Sequence, residues 1–148
     1  MVLCLSFVFI IGFLCYVFFP CSPPRYFIER LFTDPHHLSG FFLFNGLQNM
    51  WDGFSVVGGG AFPSLHVGIS TVALIYAYRY RRLSGLYYGI WIAYIPLVAS
   101  LWFSTVYLRH HWVIDIFAGW LVAILSYFLA ESSLRLWHNL RMRFSITR

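Results

Sequence analysis

Apolar residues in this chain do not alternate with polar ones. They gather in long runs separated by short polar breaks. A bilayer crossing takes about 20 apolar residues, with a range of ~17–25, and four runs approach that length. Val2–Phe19, "VLCLSFVFIIGFLCYVFF", carries no charge. Leu65–Tyr80, Leu86–Val106 and Trp112–Ala130 follow. The connections between them are too short for a barrel, and the runs are too uniformly apolar to read as alternating strands. The pattern therefore predicts an all-α fold, a polytopic transmembrane helical bundle of about four spans in one domain over residues 1–148. A cleaved signal peptide is the weaker reading of the first run, which lacks a basic leader and an A-x-A-like site.

Composition agrees. Of 148 residues, 60% are hydrophobic and 10% are charged, against about 25% charged in soluble domains. This marks an integral membrane protein. The net charge of +5 comes from arginines alone, ten of them. They flank the apolar runs instead of forming one stripe, so nucleic acid is not an expected partner. Arg79, Arg81 and Arg82 lie between the second and third runs, and Arg135, Arg141, Arg143 and Arg148 follow the fourth. The positive-inside rule makes both groups cytoplasmic. Both termini are then cytoplasmic, and the connection Pro20–Phe62 and the junction Thr105–His111 face the other side.

Within that outer connection, the turn Pro20–Arg25 stops the first helix. Phe41–Phe54 reads as an interfacial segment, with Trp51 suited to the headgroup level. Cys4, Cys15 and Cys21 make no disulfide framework and read as small apolar fillers. His36 and His37 beside Asp34 are a weak metal set, and neither a metal nor a cofactor is expected.

One break is unlike the others: Gly58–His66, "GGGAFPSLH". Glycines let backbone approach a ligand closely. Pro63 suits a helix start, and Ser64 with its neighbours offers N–H groups at a helix mouth. Together they form an anion site suited to phosphate, with Gly60 and Ser64 as candidate binding residues. His66 opens the second span and His111 the fourth. One crossing down and one back return the chain to the same face, so Ser64, His66, Arg109, His111 and Asp115 share one layer. Ionisable groups at membrane depth are costly and mark candidate functional sites. His111 and Asp115, spaced i, i+4, share a helix face. An aspartate there fixes the imidazole tautomer and leaves the other ring nitrogen for nucleophilic or base chemistry. A buried pair that only fixes helix packing is the plainer reading. His110 points elsewhere, as an interfacial histidine or a minor contributor.

These residues resemble the type 2 phosphatidic acid phosphatase superfamily. "PSLH" at Pro63–His66 is similar to its Pro-Ser-x-His motif. "STVYLRHHWVID", Ser104–Asp115, is similar to its last motif at Ser104, His111 and Asp115. The wording of both stretches looks closest to the inositol phosphorylceramide synthase-like branch. Thr105 stands where the motif has arginine, with Arg109 nearby. "SPPRYF" at Ser22–Phe27 resembles a variant of the first motif and nominates Arg25 as a phosphate ligand.

The resemblance implies a lipid phosphate phosphatase or phosphotransferase working without metal through a phosphohistidine. His111 would be the nucleophile, Asp115 its orienting partner and His66 the general acid. Arg25, Arg109, Ser64 and Gly60 would hold the phosphate. Members of the family usually carry five or six membrane helices, so four spans imply a shortened member, a fragment lacking its first helices, or a bundle completed by a homo-oligomer. The alternative is a weak or inactive member acting as a membrane structural or headgroup-binding protein.

Overall fold

Helices begin and end here where local chemistry allows, and most lie where the apolar runs predict them. The computed structural model describes residues 1–29, 31, 44, 46 and 60–146. Trp51 with most of the expected interfacial segment, the Asp34–His36–His37 group, and Gly58 and Gly59 fall outside the described residues. Among the described residues the fold is entirely helical. The helices are α1 (Val2–Phe18), α2 (Pro24–Glu29), α3 (Leu65–Tyr80), α4 (Gly85–Tyr107) and α5 (Val113–Ile146).

Two differences from the expected spans stand out. α5 does not stop at Ala130 but runs on to Ile146, for 34 residues in all. No glycine or proline follows Gly119, so nothing in the chain breaks the helix where the apolar run ends. At 1.5 Å per residue it is about 51 Å long, well beyond the ~30 Å hydrocarbon layer. α4 and α5 are long and apolar enough to cross a membrane, whereas α1 has 17 residues and α3 has 16. The two shorter helices rise about 24–26 Å. A bilayer takes up such a shortfall by thinning and by snorkelling of flanking side chains, here Arg79 in the last turn of α3 with Arg81 and Arg82 after it.

Close helix packing sets the directions. α3 is the central element and packs against α1, α4 and α5. Its first turn meets the first turn of α5, where the Ser64 N–H donates to the Asp115 carbonyl at 3.2 Å. Its far end meets α5 again, where the Arg79 guanidinium donates to the Tyr127 hydroxyl at 2.7 Å and to Glu131 Oε1 at 2.6 Å. α3 and α5 therefore run parallel. α1 runs antiparallel to α3: Tyr16 bonds to Pro63, Gly12 lies beneath Leu65, and Val8 lies beside Gly68. α4 is the antiparallel return, with Trp102 bonded to Ser70 near one end and Tyr78 stacked edge-on against Trp91 near the other.

The core lies between α1, α3 and α5 and is built from Cys4, Val8, Val72, Tyr76, Val122, Ala123 and Ala130. Cys4 is thus a buried filler, as expected, whereas Cys15 is half-buried and Cys21 exposed. α4 buries little beyond Val98 and Thr105 and presents Leu86, Ile90, Leu97 and Phe103 outward. An apolar exterior of that kind suits hydrocarbon as solvent, since lipid tails are as apolar as leucine.

Gly119 makes the tightest approach to backbone among the described glycines. A Cβ there would lie 2.7 Å from the Ser64 carbonyl oxygen and 2.8 Å from Val67 Cβ. Backbone cannot swing aside as a flexible side chain can. Gly119→Ala should therefore push α3 and α5 apart and destabilise the protein by about 1–3 kcal/mol, the usual cost of overpacking. The thermal midpoint in detergent checks this, and a wild-type midpoint would contradict the packing described.

Candidate active site

The end of α4 is built to reverse the chain sharply. The Arg109 N–H donates to the Val106 carbonyl at 2.9 Å, and the His110 N–H to the Thr105 carbonyl at 3.0 Å. These are the two bonds of a Schellman cap, whose pivot residue adopts the left-handed conformation and is usually glycine. Here the pivot is Arg109, at φ 58°. A side chain in that conformation costs roughly 1–2 kcal/mol, so the chain keeps an arginine at a position that favours glycine. The Thr105 carbonyl also accepts from the His111 N–H at 3.1 Å, which sets His111 two residues before α5.

Asp115 lies in the first turn of α5 and is only 1% exposed. Its Oδ2 accepts from the Trp112 N–H at 2.8 Å and lies 3.3 Å from His111 Nδ1. The shorter partner of that ring nitrogen is the Ala61 carbonyl oxygen, at 2.8 Å. A carbonyl can only accept, so His111 Nδ1 carries the hydrogen. In the neutral ring, Nε2 then holds the free lone pair. His111 is 7% exposed, whereas His66 is exposed. Their ring centroids are 5.8 Å apart at an interplanar angle of 66°.

His66 rides on the first turn of α3. Its carbonyl accepts the Ser70 hydroxyl at 2.7 Å, and the Trp102 indole N–H donates to that same oxygen of Ser70 at 2.9 Å. Ser64 is the N-cap of α3, fully buried, with Oγ accepting from the Val67 N–H. A capping hydroxyl of this kind still has its own hydrogen to donate. Pro63 stands one residue before the cap and not inside the helix as expected, because Ser64, in extended backbone, takes the cap position. Gly60 adopts φ 87°, a conformation natural to glycine, with the Tyr16 ring against it.

The two candidate phosphate arginines also come to this end. The Arg25 N–H donates to the Arg109 carbonyl at 3.2 Å, and the Trp112 indole N–H to the Ser22 carbonyl at 3.3 Å, so α2 sits against the α4–α5 corner. The Arg25 side chain is buried, bonds the Tyr26 hydroxyl at 2.6 Å and stacks on that ring. The Arg109 guanidinium stacks on Phe44 at 4.9 Å. Thr105, at the position of the motif arginine, is buried and donates its hydroxyl to the Trp102 carbonyl. Ser104 donates to the Leu101 carbonyl.

Two features have no counterpart in the sequence reading. The Ala61 carbonyl has no side-chain signature by which a motif could reveal it. His110, expected to point elsewhere, borders a hollow of about 50 Å³ together with His66, Leu101, Ser104, Thr105 and Leu108. Its spacing from Asp115 does not reveal this shared border with His66.

The comparisons with known proteins fit this geometry. A family model described as the PAP2 superfamily matches residues 1–129. The chain is 44% identical over 73 residues to the inositol phosphorylceramide synthase catalytic subunit AUR1 of Saccharomyces cerevisiae, covering 49% of this chain and 16% of that protein. It is 32% identical over 133 residues to the aur1 catalytic subunit of Schizosaccharomyces pombe, covering 81% of this chain and 29% of that one. It is 28% identical over 137 residues to the phosphoinositol dihydroceramide synthase of Bacteroides thetaiotaomicron, covering 86% and 44%. The chain thus spans less than half the length of each of these relatives, and no solved structure matches it. The family match takes in both histidines, the aspartate and the glycine-bearing turn that faces them, and the chain belongs to the PAP2 superfamily.

Proposed function

We propose that this protein transfers a phosphoryl group from a membrane lipid phosphate through a phosphohistidine at His111, without a metal ion. One observation carries the reading: His66 and His111 face each other at 5.8 Å, and His111 Nδ1 is held by two oxygens. That leaves Nε2 as the nucleophile. In the first step Nε2 attacks phosphorus, the bond to the lipid alcohol oxygen breaks, and His66 gives that oxygen its proton. Positive charge developing on His111 is stabilised by the Asp115 carboxylate and the Ala61 carbonyl. In the second step an acceptor hydroxyl attacks, His66 takes its proton back, and the P–N bond breaks.

Arg25, Arg109, the Ser64 hydroxyl hydrogen and the Gly60 amide are the proposed phosphate contacts, spreading positive potential where negative charge is shared among oxygens. Water as acceptor makes the protein a phosphatase. An alcohol makes it a phosphotransferase, and the likeness to three synthases favours the alcohol. The arginine distribution supports a site on the non-cytoplasmic face with both termini in the cytoplasm. Thr105 favours a second reading, a headgroup-binding member without activity, since the neutral side chain standing at the motif's arginine position is buried and bonded to backbone.

His111→Ala should abolish turnover of a lipid phosphate and the acid-labile labelling of the protein by radioactive phosphate. His66→Ala should lower turnover by about 10²–10⁴-fold, the range of general acid catalysis. EDTA and His110→Ala should have small effects. Turnover surviving His111→Ala would falsify the phosphohistidine. For Arg109→Gly, relief of left-handed strain offsets the lost stacking on Phe44. The thermal midpoint should then barely move while KM for the lipid phosphate rises. An unchanged KM removes Arg109 from the phosphate contacts.

A further inference from the structure

The loop that supplies the Ala61 carbonyl is held at four consecutive residues by α1 and the residues just after it. The Tyr16 ring packs against Gly60, coming within 3.3 Å of where a Cβ would stand. The Ala61 N–H donates to the Cys21 carbonyl at 3.1 Å. The Phe62 ring meets Phe19 edge-on at 6.5 Å. The Tyr16 hydroxyl donates to the Pro63 carbonyl at 3.1 Å. Tyr16 thus touches the loop on both sides of Ala61, by ring before it and by hydroxyl after it.

We infer that Tyr16 is a positioning residue for phosphoryl transfer: it aims the Ala61 carbonyl at His111 Nδ1 and thereby keeps Nε2 as the free ring nitrogen. The inference rests on the reading of His111 as nucleophile. The physical need for it is specific. The carbonyl at 2.8 Å is nearer to Nδ1 than the carboxylate at 3.3 Å, yet it belongs to a loop that contains a glycine at positive φ. Glycine gives such a loop many alternative conformations. If the carbonyl turns away, Nδ1 keeps only the longer partner, and the neutral ring is free to carry its hydrogen on Nε2, where it cannot attack phosphorus. Tyr16 lies 95 residues from His111 in sequence, on a helix whose apolar run suggests only an anchor.

The test uses the full chain in detergent or nanodiscs. Tyr16→Phe keeps the ring and removes the hydroxyl. It should lower kcat about 3- to 10-fold, the scale of one neutral hydrogen bond, with KM for the lipid phosphate little changed. Tyr16→Ala, losing the ring as well, should lower kcat further. Nitrogen-15 shifts of labelled histidine give a second readout. Wild-type His111 should carry its hydrogen on Nδ1, and Tyr16→Phe should populate the Nε2–H form. Wild-type kcat and tautomer in Tyr16→Phe would overturn the inference, as would an Nε2–H tautomer in the wild-type protein, which needs no variant to fold. Phosphate labelling of wild-type His111 separates the two ideas. If labelling occurs and Tyr16→Phe behaves as wild type, the positioning role fails while the nucleophile stands. If labelling does not occur, the nucleophile itself is misassigned.

Discussion

Asp115 joins the two halves of the site through different atoms. Its carbonyl accepts the Ser64 N–H and so ties down the mouth of α3, which carries His66. Its carboxylate faces His111 and accepts the Trp112 N–H. The residue is almost completely buried, so its charge is tolerated only because these partners surround it. Gly119, one turn further along α5, lets Ser64 come close enough for the backbone bond to form. Remove either the carboxylate or the close approach, and the two histidines lose their common reference point.

The oxygens around His111 Nδ1 differ in kind. The carboxylate stabilises a charged imidazolium through its own charge, whereas the Ala61 carbonyl acts as a dipole that can only accept. A carboxylate alone selects the tautomer well if it is close. Here it stands at 3.3 Å and also serves the Trp112 amide. Sharing the task with a backbone carbonyl distributes it across three elements, namely α1, the Gly60–Ser64 turn and α5. That division ties α1 to the geometry around His111 as well as to the helix core.

Much of this was legible in the sequence, for identifiable reasons. Run length reveals membrane helices because a bilayer has a fixed thickness, so α1, α3, α4 and the start of α5 were placed. Counting crossings brought His66, His111 and Asp115 to one face, and i, i+4 spacing paired the last two. Other features left no such trace. The continuation of α5 to Ile146 depends on the absence of a breaker, which apolar-run counting ignores. Arg109 in left-handed backbone defies the preference for glycine that would mark the turn. The Ala61 carbonyl and the fit of Gly119 against Ser64 are backbone effects, and every residue has a backbone. Ser64 carries a family motif, and only the structure displays it as a buried helix cap.

The parallel arrangement of α3 and α5 has a mechanical consequence. Both histidines stand at the same end of the pair, so sliding one helix along the other carries the rings past each other. A slip of one turn, about 5.4 Å, at right angles to a 5.8 Å separation would open it to about 7.9 Å. The Arg79–Glu131 pair, about 20 Å away at 1.5 Å per residue from His66, opposes that slide from the opposite end. It works as an end stop, and the spacing of the two histidine rings is gauged partly at the opposite end of the bundle.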